Sequence, residues 1–350
     1  MSGVFREIDT AETNDRRWVD RTDGVCTARR NIGFLKMHKC SSSTVQNILF
    51  RYGEERDLDF VLPPVGNILG RTYFHPSTMI RFLVEKYNML CHHTRFSAEG
   101  FGAVLPDDAV FVTIIRDPVK MYESSFSYND IAYRFDLPAE GGLEMFMRKP
   151  SYYYGNNVYT NAHVRNPMLY DLGLSDADQF SWEAIRAKIL ELTRQFDLVM
   201  ITEYFDESLV LLRHLLCWEI EDMVYFVLNA RSKESVKTLT DDLSERIRAW
   251  NAGDARLYDV FNRTFWKRVS DFGLDRMREE VAELREQIAR YEDRCIAKVI
   301  DNDDRVWHPY GVKFDSFKLK PAARTDPKCI RMIRSEIPYT QTLRFLQLRR

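Results

Sequence analysis

Phe34 to Gly53 reads FLKMHKCSSSTVQNILFRYG. An apolar stretch runs into two lysines and a histidine, then into small hydroxyl residues, then into residues of helical period. Asn31 to Leu35 has the composition of a short strand. From Thr44 onward Val45, Ile48, Leu49 and Tyr52 fall on one helix face, and Gly53 is expected to stop that helix. The first N–H groups of such a helix have no partner within it, and its dipole leaves partial positive charge there. Small residues at 41–44 let an anion reach those groups, Ser41, Ser42, Ser43 and Thr44 add hydroxyls, and Lys36 and Lys39 add full charge. The junction therefore reads as a cradle for a phosphate or sulfate. The plainer alternative is a serine-capped helix beneath solvated lysines. The nucleotide loop GxxxxGK[ST] does not fit, because the turn contains no glycine.

Two further strands set the frame. Ala109 to Ile115, AVFVTII, is apolar almost throughout, as in a strand buried on both faces of a parallel sheet. Phe196 to Ile201, FDLVMI, is another, and a helix bearing Leu209, Leu212, Leu215 and Leu216 follows it. Strand, turn and helix in alternation predict a doubly wound parallel α/β fold, whose ligands sit at the carboxyl ends of the strands. Arg116 stands at such an end, and Ser124 lies eight residues on in the next expected helix. An arginine fork and a serine hydroxyl suit a second phosphate, though Arg116 pairing with Asp117 is the structural alternative. Two anion sites at neighbouring strand ends point to a nucleotide phosphorylated at both ends, such as adenosine 3′,5′-bisphosphate.

The chain has 350 residues, 45% hydrophobic, enough for a large core. Fifty basic against 52 acidic residues argue against a general nucleic-acid binder and require any anion site to be local. Residues 1–28 read as a polar tail or stem, 29–330 as the main domain and 331–350 as a carboxyl-terminal tail or helical extension. Within the domain, 134–180 reads as a long lid insertion. Residues 272–297 form a long helix whose three-and-four spacing suits packing on its own domain, with a homodimer coiled coil as the alternative. No run approaches the ~18 apolar residues of a membrane span, and the amino terminus lacks a signal-peptide core. The six cysteines show no zinc spacing, and Cys217 reads as core. Asn262-Arg263-Thr264 is a sequon that matters only in a secretory lumen.

KMHKCSSST and RDPVKMYESSFSY together resemble the 5′- and 3′-phosphate motifs of sulfotransferases that use 3′-phosphoadenylyl sulfate (PAPS), and in particular the galactose 3-O-sulfotransferases. The resemblance continues through CHHTRF (91–96), NAHVRN (161–166), the long block EYFDES…LNAR (203–231), NRTFW (262–266) and WHPYGVK (307–313). It implies a single sulfotransferase domain of P-loop-like type that transfers a sulfuryl group from PAPS to the 3-hydroxyl of a terminal β-galactose. The acceptor would be a galactosylceramide-like glycolipid or a glycan, and the enzyme would stand in the Golgi lumen behind an anchor that this sequence does not show. Lys39 would meet the 5′-phosphosulfate, with Lys36, Cys40 and Ser41 to Thr44 around it. Arg116 and Ser124 would hold the 3′-phosphate. Met37 and Cys40 stand where the family commonly has threonines, which removes two hydroxyls and weakens the expected grip.

A sugar hydroxyl needs a base, and histidine suits neutral pH. Of seven histidines, His38 is favoured because Lys39 is its neighbour; His93 is the second candidate. Asn161, His163 and Arg165 are candidate sugar contacts. No metal is expected to be required, since the donor is already activated. The rival readings are a non-catalytic galactoside- or nucleotide-binding relative and a P-loop kinase, which would need Mg²⁺.

Overall fold

The computed structural model describes residues 26–156, 162–228, 231, 238–301 and 315–350. The first strand, β1 (Ile32–Leu35), leads through the polar turn into helix α1 (Ser42–Glu55). Then come β2 (Ile68–Tyr73), β3 (Met89–Leu90), β4 (His93–Arg95), α2 (Ala98–Val104) and β5 (Val110–Ile115). Helix α3 (Pro118–Tyr128) and the short α4 (Ile131–Arg134) follow β5, and the short helices α5 (Gly142–Arg148), α6 (Pro150–Gly155) and α7 (Pro167–Asp171) lie within the region 134–180. Beyond them lie α8 (Trp182–Gln195), β6 (Leu198–Ile201), α9 (Phe205–Leu216), α10 (Ile220–Met223), α11 (Asp241–Trp250), α12 (Ala252–Phe272) and α13 (Leu274–Cys295). An antiparallel pair, β7 (Ile296–Asp301) and β8 (Asp315–Leu319), precedes α14 (Pro327–Ile333) and α15 (Glu336–Gln347).

The main sheet has the order β3-β1-β5-β6, with every pair parallel. The three strands expected from continuous apolar runs are adjacent in it. Their side chains are buried on both faces, which is why the sequence shows no alternation. Gly33 lets β1 lie close to its neighbour: a Cβ there would stand 2.5 Å from the Phe111 ring. The chain leaves β1 toward β3 on one side and returns to β5 on the other. This reversal opens a crevice at the carboxyl ends of β1 and β5, where Lys36 and Arg116 follow the strands.

Several expectations need correction. Helix α1 runs past Gly53 to Glu55; Gly53 instead makes room for Phe60, whose ring lies 2.4 Å from where a Cβ would stand. Residues 331–350 are no tail. Tyr339 and Leu343 of α15 belong to the main core, and Asn47 of α1 donates to the Arg331 carbonyl at 2.9 Å. That cover explains why the polar residues Gln46, Asn47 and Arg51 of α1 are buried along with its apolar ones. Cys217 is not simple core either: it is bonded to Cys26, and Cys295 to Cys329, while Cys40 and Cys91 are free and buried.

The seam of α13 is filled by the chain itself. Met277, Val281 and Leu284 are buried, and Glu280 binds Arg213 and His214 of α9 at 3.1 and 2.6 Å. The region 134–180 folds with α11 around a second core containing Phe146, Val164 and Trp250. Its last helix, α7, reaches back to the mouth of the crevice. Among the described residues no helix is long and apolar enough to cross a membrane.

Candidate active site

The turn after β1 solves a backbone problem without glycine. Lys39 and Ser41 adopt left-handed conformations, with φ of 59° and 58°. Each such residue costs about 1–2 kcal/mol, so the surroundings must hold the turn in place. Arg116 donates to the Lys39 carbonyl at 3.2 Å, Thr202 after β6 donates to the Cys40 carbonyl at 3.1 Å, and Ser42 donates to the Met37 carbonyl at 2.5 Å. Alternating backbone hands of this kind turn N–H groups inward and make an anion-binding concavity. Glu203 steadies the second turn by accepting the Asp117 N–H at 3.2 Å.

The expected donors divide. Ser41 makes no side-chain cap bond at the start of α1. Ser42 is spent on the turn, and the Thr44 hydroxyl accepts from the Leu228 N–H at 3.2 Å. The Cys40 thiol is buried, donates to the His38 carbonyl, and is pushed up in pKa, first by burial. Cys40 therefore has only its backbone to offer an anion. Lys39 lies 3.7 Å over the Tyr128 ring, and its pKa falls to about 7, chiefly from burial and then from Arg231, Arg116 and Lys36. Arg116 keeps a buried Nε without a partner among the described residues, and Ser124 is buried on α3. A cation crowded by cations and an orphaned guanidinium nitrogen both fit an anionic ligand.

Lys36 does something the sequence did not suggest. Its ammonium is 2% exposed and contacts Ser43 Oγ at 3.2 Å, His93 Nε2 at 2.9 Å and Glu336 Oε2 at 3.0 Å. It is a buried strut between the cradle and α15, and three protein groups already occupy it. Glu336→Ala is accordingly expected to destabilise the fold by about 3–5 kcal/mol, the cost of stranding a buried charge. A denaturant midpoint equal to that of the parent protein would show that Lys36 has another partner.

Two of the three candidate histidines, His38 and His163, meet at one carboxylate. His38 Nδ1 lies 2.7 Å from Asp171 Oδ2, and His163 Nε2 lies 3.0 Å from Asp171 Oδ1. The His38 backbone N–H also reaches Oδ2, at 3.1 Å. The His38 ring stacks on His93, with centroids 4.2 Å apart. Burial works against charge on Asp171, yet His38 and His163 outweigh it and hold the carboxyl well below the usual range. As an ionised acceptor it assigns the facing protons to the rings, so in its neutral form His38 has its proton on Nδ1 and its lone pair on Nε2. His93 differs: Nδ1 is 3.0 Å from the Lys36 carbonyl, so the Nε2 lone pair accepts from the Lys36 ammonium. Burial and then that ammonium keep His93 neutral. His92 is buried against Thr340 with its pKa lowered to about 4, mainly by burial.

Asp171 owes its position to α7, whose first N–H groups, Met168 and Leu169, donate at 2.9 Å to Asp254 of α12. Arg165 is not aimed at the crevice: its Nε donates to the Gln179 carbonyl at 3.1 Å and its guanidinium stacks on Phe180 and Trp250. Asn161 and WHPYGVK fall outside the described residues. Sequence reading missed Asp171, Glu336, Tyr128 and the Arg231–Glu123 ion pair, bonded at 3.0 Å. Of these, Glu123 and Tyr128 lay in RDPVKMYESSFSY and Arg231 in the EYFDES…LNAR block, whereas Asp171 and Glu336 lay in no quoted motif.

A family profile described as Galactose-3-O-sulfotransferase matches residues 10–347. Galactosylceramide sulfotransferase of Mus musculus is 40% identical over 340 residues, covering 91% of this chain and 79% of the relative. Its Homo sapiens counterpart gives the same figures, 40% over 340 residues, with 91% and 79% covered. Galactose-3-O-sulfotransferase 2 of Sus scrofa is 36% identical over 334 residues, covering 89% and 83%. Such similarity along nearly the whole chain makes this protein a member of the galactose-3-O-sulfotransferase family.

Proposed function

We propose that the chain transfers the sulfuryl group of PAPS to the 3-hydroxyl of a terminal β-galactose, with His38 as base and Lys39 as stabiliser of the leaving oxygen. The observation that carries this reading is the contact of His38 Nδ1 with Asp171 Oδ2 at 2.7 Å, which places the lone pair of the neutral ring on Nε2. His38 Nε2 takes the sugar proton while the hydroxyl oxygen bonds to sulfur. The sulfur–oxygen bond to the phosphate breaks, and its electron pair goes to the phosphate oxygen beside Lys39. Such transfer gains most from positioning and fixed charge, as phosphoryl transfer does. The left-handed turn and Ser41 would hold the 5′ end, and Arg116 with Ser124 the 3′-phosphate. His93, tied to Lys36, would support the His38 ring rather than act as base. His163 and the region 134–180 would close the acceptor side.

A galactose on a glycolipid or on a glycan meets the same chemistry, and the names of the relatives include both a galactosylceramide enzyme and enzymes of galactose at large. Two disulfides suit an oxidising lumen such as that of the Golgi. The direct test incubates the protein with sulfur-labelled PAPS and a β-galactoside in the presence of a chelator. Label on the galactose 3-hydroxyl is expected. Transfer only from ATP with Mg²⁺, or binding without turnover, would defeat the reading.

The depressed Lys39 pKa yields a prediction of its own. A bound bisphosphate favours the ammonium form and raises that pKa from about 7, so binding takes up a proton. The sign is set: affinity is greatest where Lys39 is already charged, below about pH 7, and declines as pH rises above it. The decline should approach tenfold per pH unit until the bound-state pKa is reached, read by calorimetry at about pH 6.5 and 8.5 in buffers of different ionisation heat. Affinity that does not change with pH would mean that Lys39 does not meet the nucleotide.

A further inference from the structure

His38, His163 and Asp171 each bring one ligand atom within 4.8 Å of the others. We infer that this trio is an inhibitory metal site, in which a borderline divalent ion such as Zn²⁺ binds both rings and the carboxylate and thereby turns off the base at His38. The effect on rate rests on the proposed role of His38; the ion site itself does not.

The spacing suits such an ion. Zinc takes imidazole nitrogen and carboxylate oxygen at about 2.0–2.2 Å, so two ligands of one tetrahedral ion stand about 3.3 Å apart. The nitrogen–oxygen pairs here are 2.7 and 3.0 Å apart, so modest spreading makes room. The rings lie with centroids 4.3 Å apart, facing one carboxylate from two chain segments. His163 reaches this position through a left-handed backbone, φ 64°, a strained conformation for a non-glycine residue and one common at ligand-binding sites. Asp171 is 1% exposed and ionised, so its charge is poorly screened. Two nitrogens and one carboxylate select zinc-like ions over Mg²⁺ and Ca²⁺, which prefer oxygen throughout. Arg134, near His163, weakens attraction for a cation.

The proton count shows why the ion inhibits. Without it, His38 Nδ1 and His163 Nε2 carry protons directed at Asp171. Coordination uses the lone pair of the nitrogen that faces the ion, so each neutral ring keeps one proton and moves it to its far nitrogen. Asp171 stays ionised and no proton is released. His38 Nε2 becomes an N–H group, which has no lone pair with which to accept the proton of a sugar hydroxyl.

The test adds Co²⁺ alone to the purified protein and follows its visible absorption, which reports nitrogen and oxygen ligation. One equivalent is expected to bind, to be displaced by Zn²⁺, and to be lost in Asp171→Asn and in His163→Ala. Retained binding of adenosine 3′,5′-bisphosphate shows that these variants are folded. Saturating Zn²⁺ is expected to lower the rate about 100-fold, the usual worth of a general base, with nucleotide affinity unimpaired and activity restored by chelator. No cobalt band, or a band that persists in both variants, overturns the site. An ion bound at this site in an enzyme that keeps its full rate overturns the switch, and with it His38 as base, while leaving the site in place.

Discussion

Lys39→Ala is expected to lower turnover by about 100-fold or more, the usual cost of removing a donor aimed at charge that develops in the transition state. The left-handed turn puts Lys39 at the centre of the cradle, with its ammonium over Tyr128 and among Arg116, Arg231 and Lys36. Crowding makes its charge costly in the free protein, and an arriving anion relieves that cost. Because negative charge on the leaving oxygen peaks as the sulfur–oxygen bond breaks, the loss should fall mainly on kcat. Arg116→Ala makes the contrast. It removes the proposed 3′-phosphate fork and also the bond to the Lys39 carbonyl, 3.2 Å long, so it should weaken nucleotide affinity by about 100-fold, as for other charge-assisted pairs. Lys39→Gln separates charge from packing, since it keeps much of the side chain. Rapid-quench measurement of sulfuryl transfer, beside equilibrium titration with adenosine 3′,5′-bisphosphate, distinguishes the two variants. Near-parental turnover in Lys39→Gln would remove the lysine from the chemistry.

The contrast between Lys39 and Lys36 also shows what a linear sequence can reveal. Both lysines flank the same histidine and both read as anion ligands. The setting of Lys39 is local, made by the turn itself and by the ends of adjacent parallel strands, and suits the anion contact proposed for it. Lys36 is instead taken up by Glu336, 300 residues away, a partner that no local pattern signals. The strands β1, β5 and β6 were legible because burial on both faces forces continuous apolar runs. The extent of α1 was not, because Gly53 answers to Phe60 across space rather than to its own helix. The carboxyl-terminal helix did leave a trace: Tyr339 and Leu343 stand one helical turn apart, and both are buried. Asp171 left none, since a lone aspartate in PMLYDLG gains its meaning only when α7 is clamped by Asp254 beneath two histidines.

That carboxylate makes the base testable beyond simple deletion. His38→Asn should reduce kcat by roughly 10²–10⁴-fold, the span general-base help provides. The amide can still donate toward Asp171 Oδ2, so the buried carboxylate is not stranded and nucleotide affinity should hold. Asp171→Asn leaves His38 in place but replaces an obligate acceptor with a group that can also donate. The ring is then free to carry its proton on Nε2, the wrong nitrogen for a base, and kcat should fall by a similar factor with little change in KM for the sugar. His93→Gln removes the stacked ring and a Lys36 partner, not the proposed proton acceptor, and should cost stability more than rate. The pattern across the three variants decides the assignment. If His93→Gln is inactive while His38→Asn turns over near the parental rate, the lone pair that matters is the one Lys36 covers, and nucleotide binding must uncover it by drawing that ammonium away.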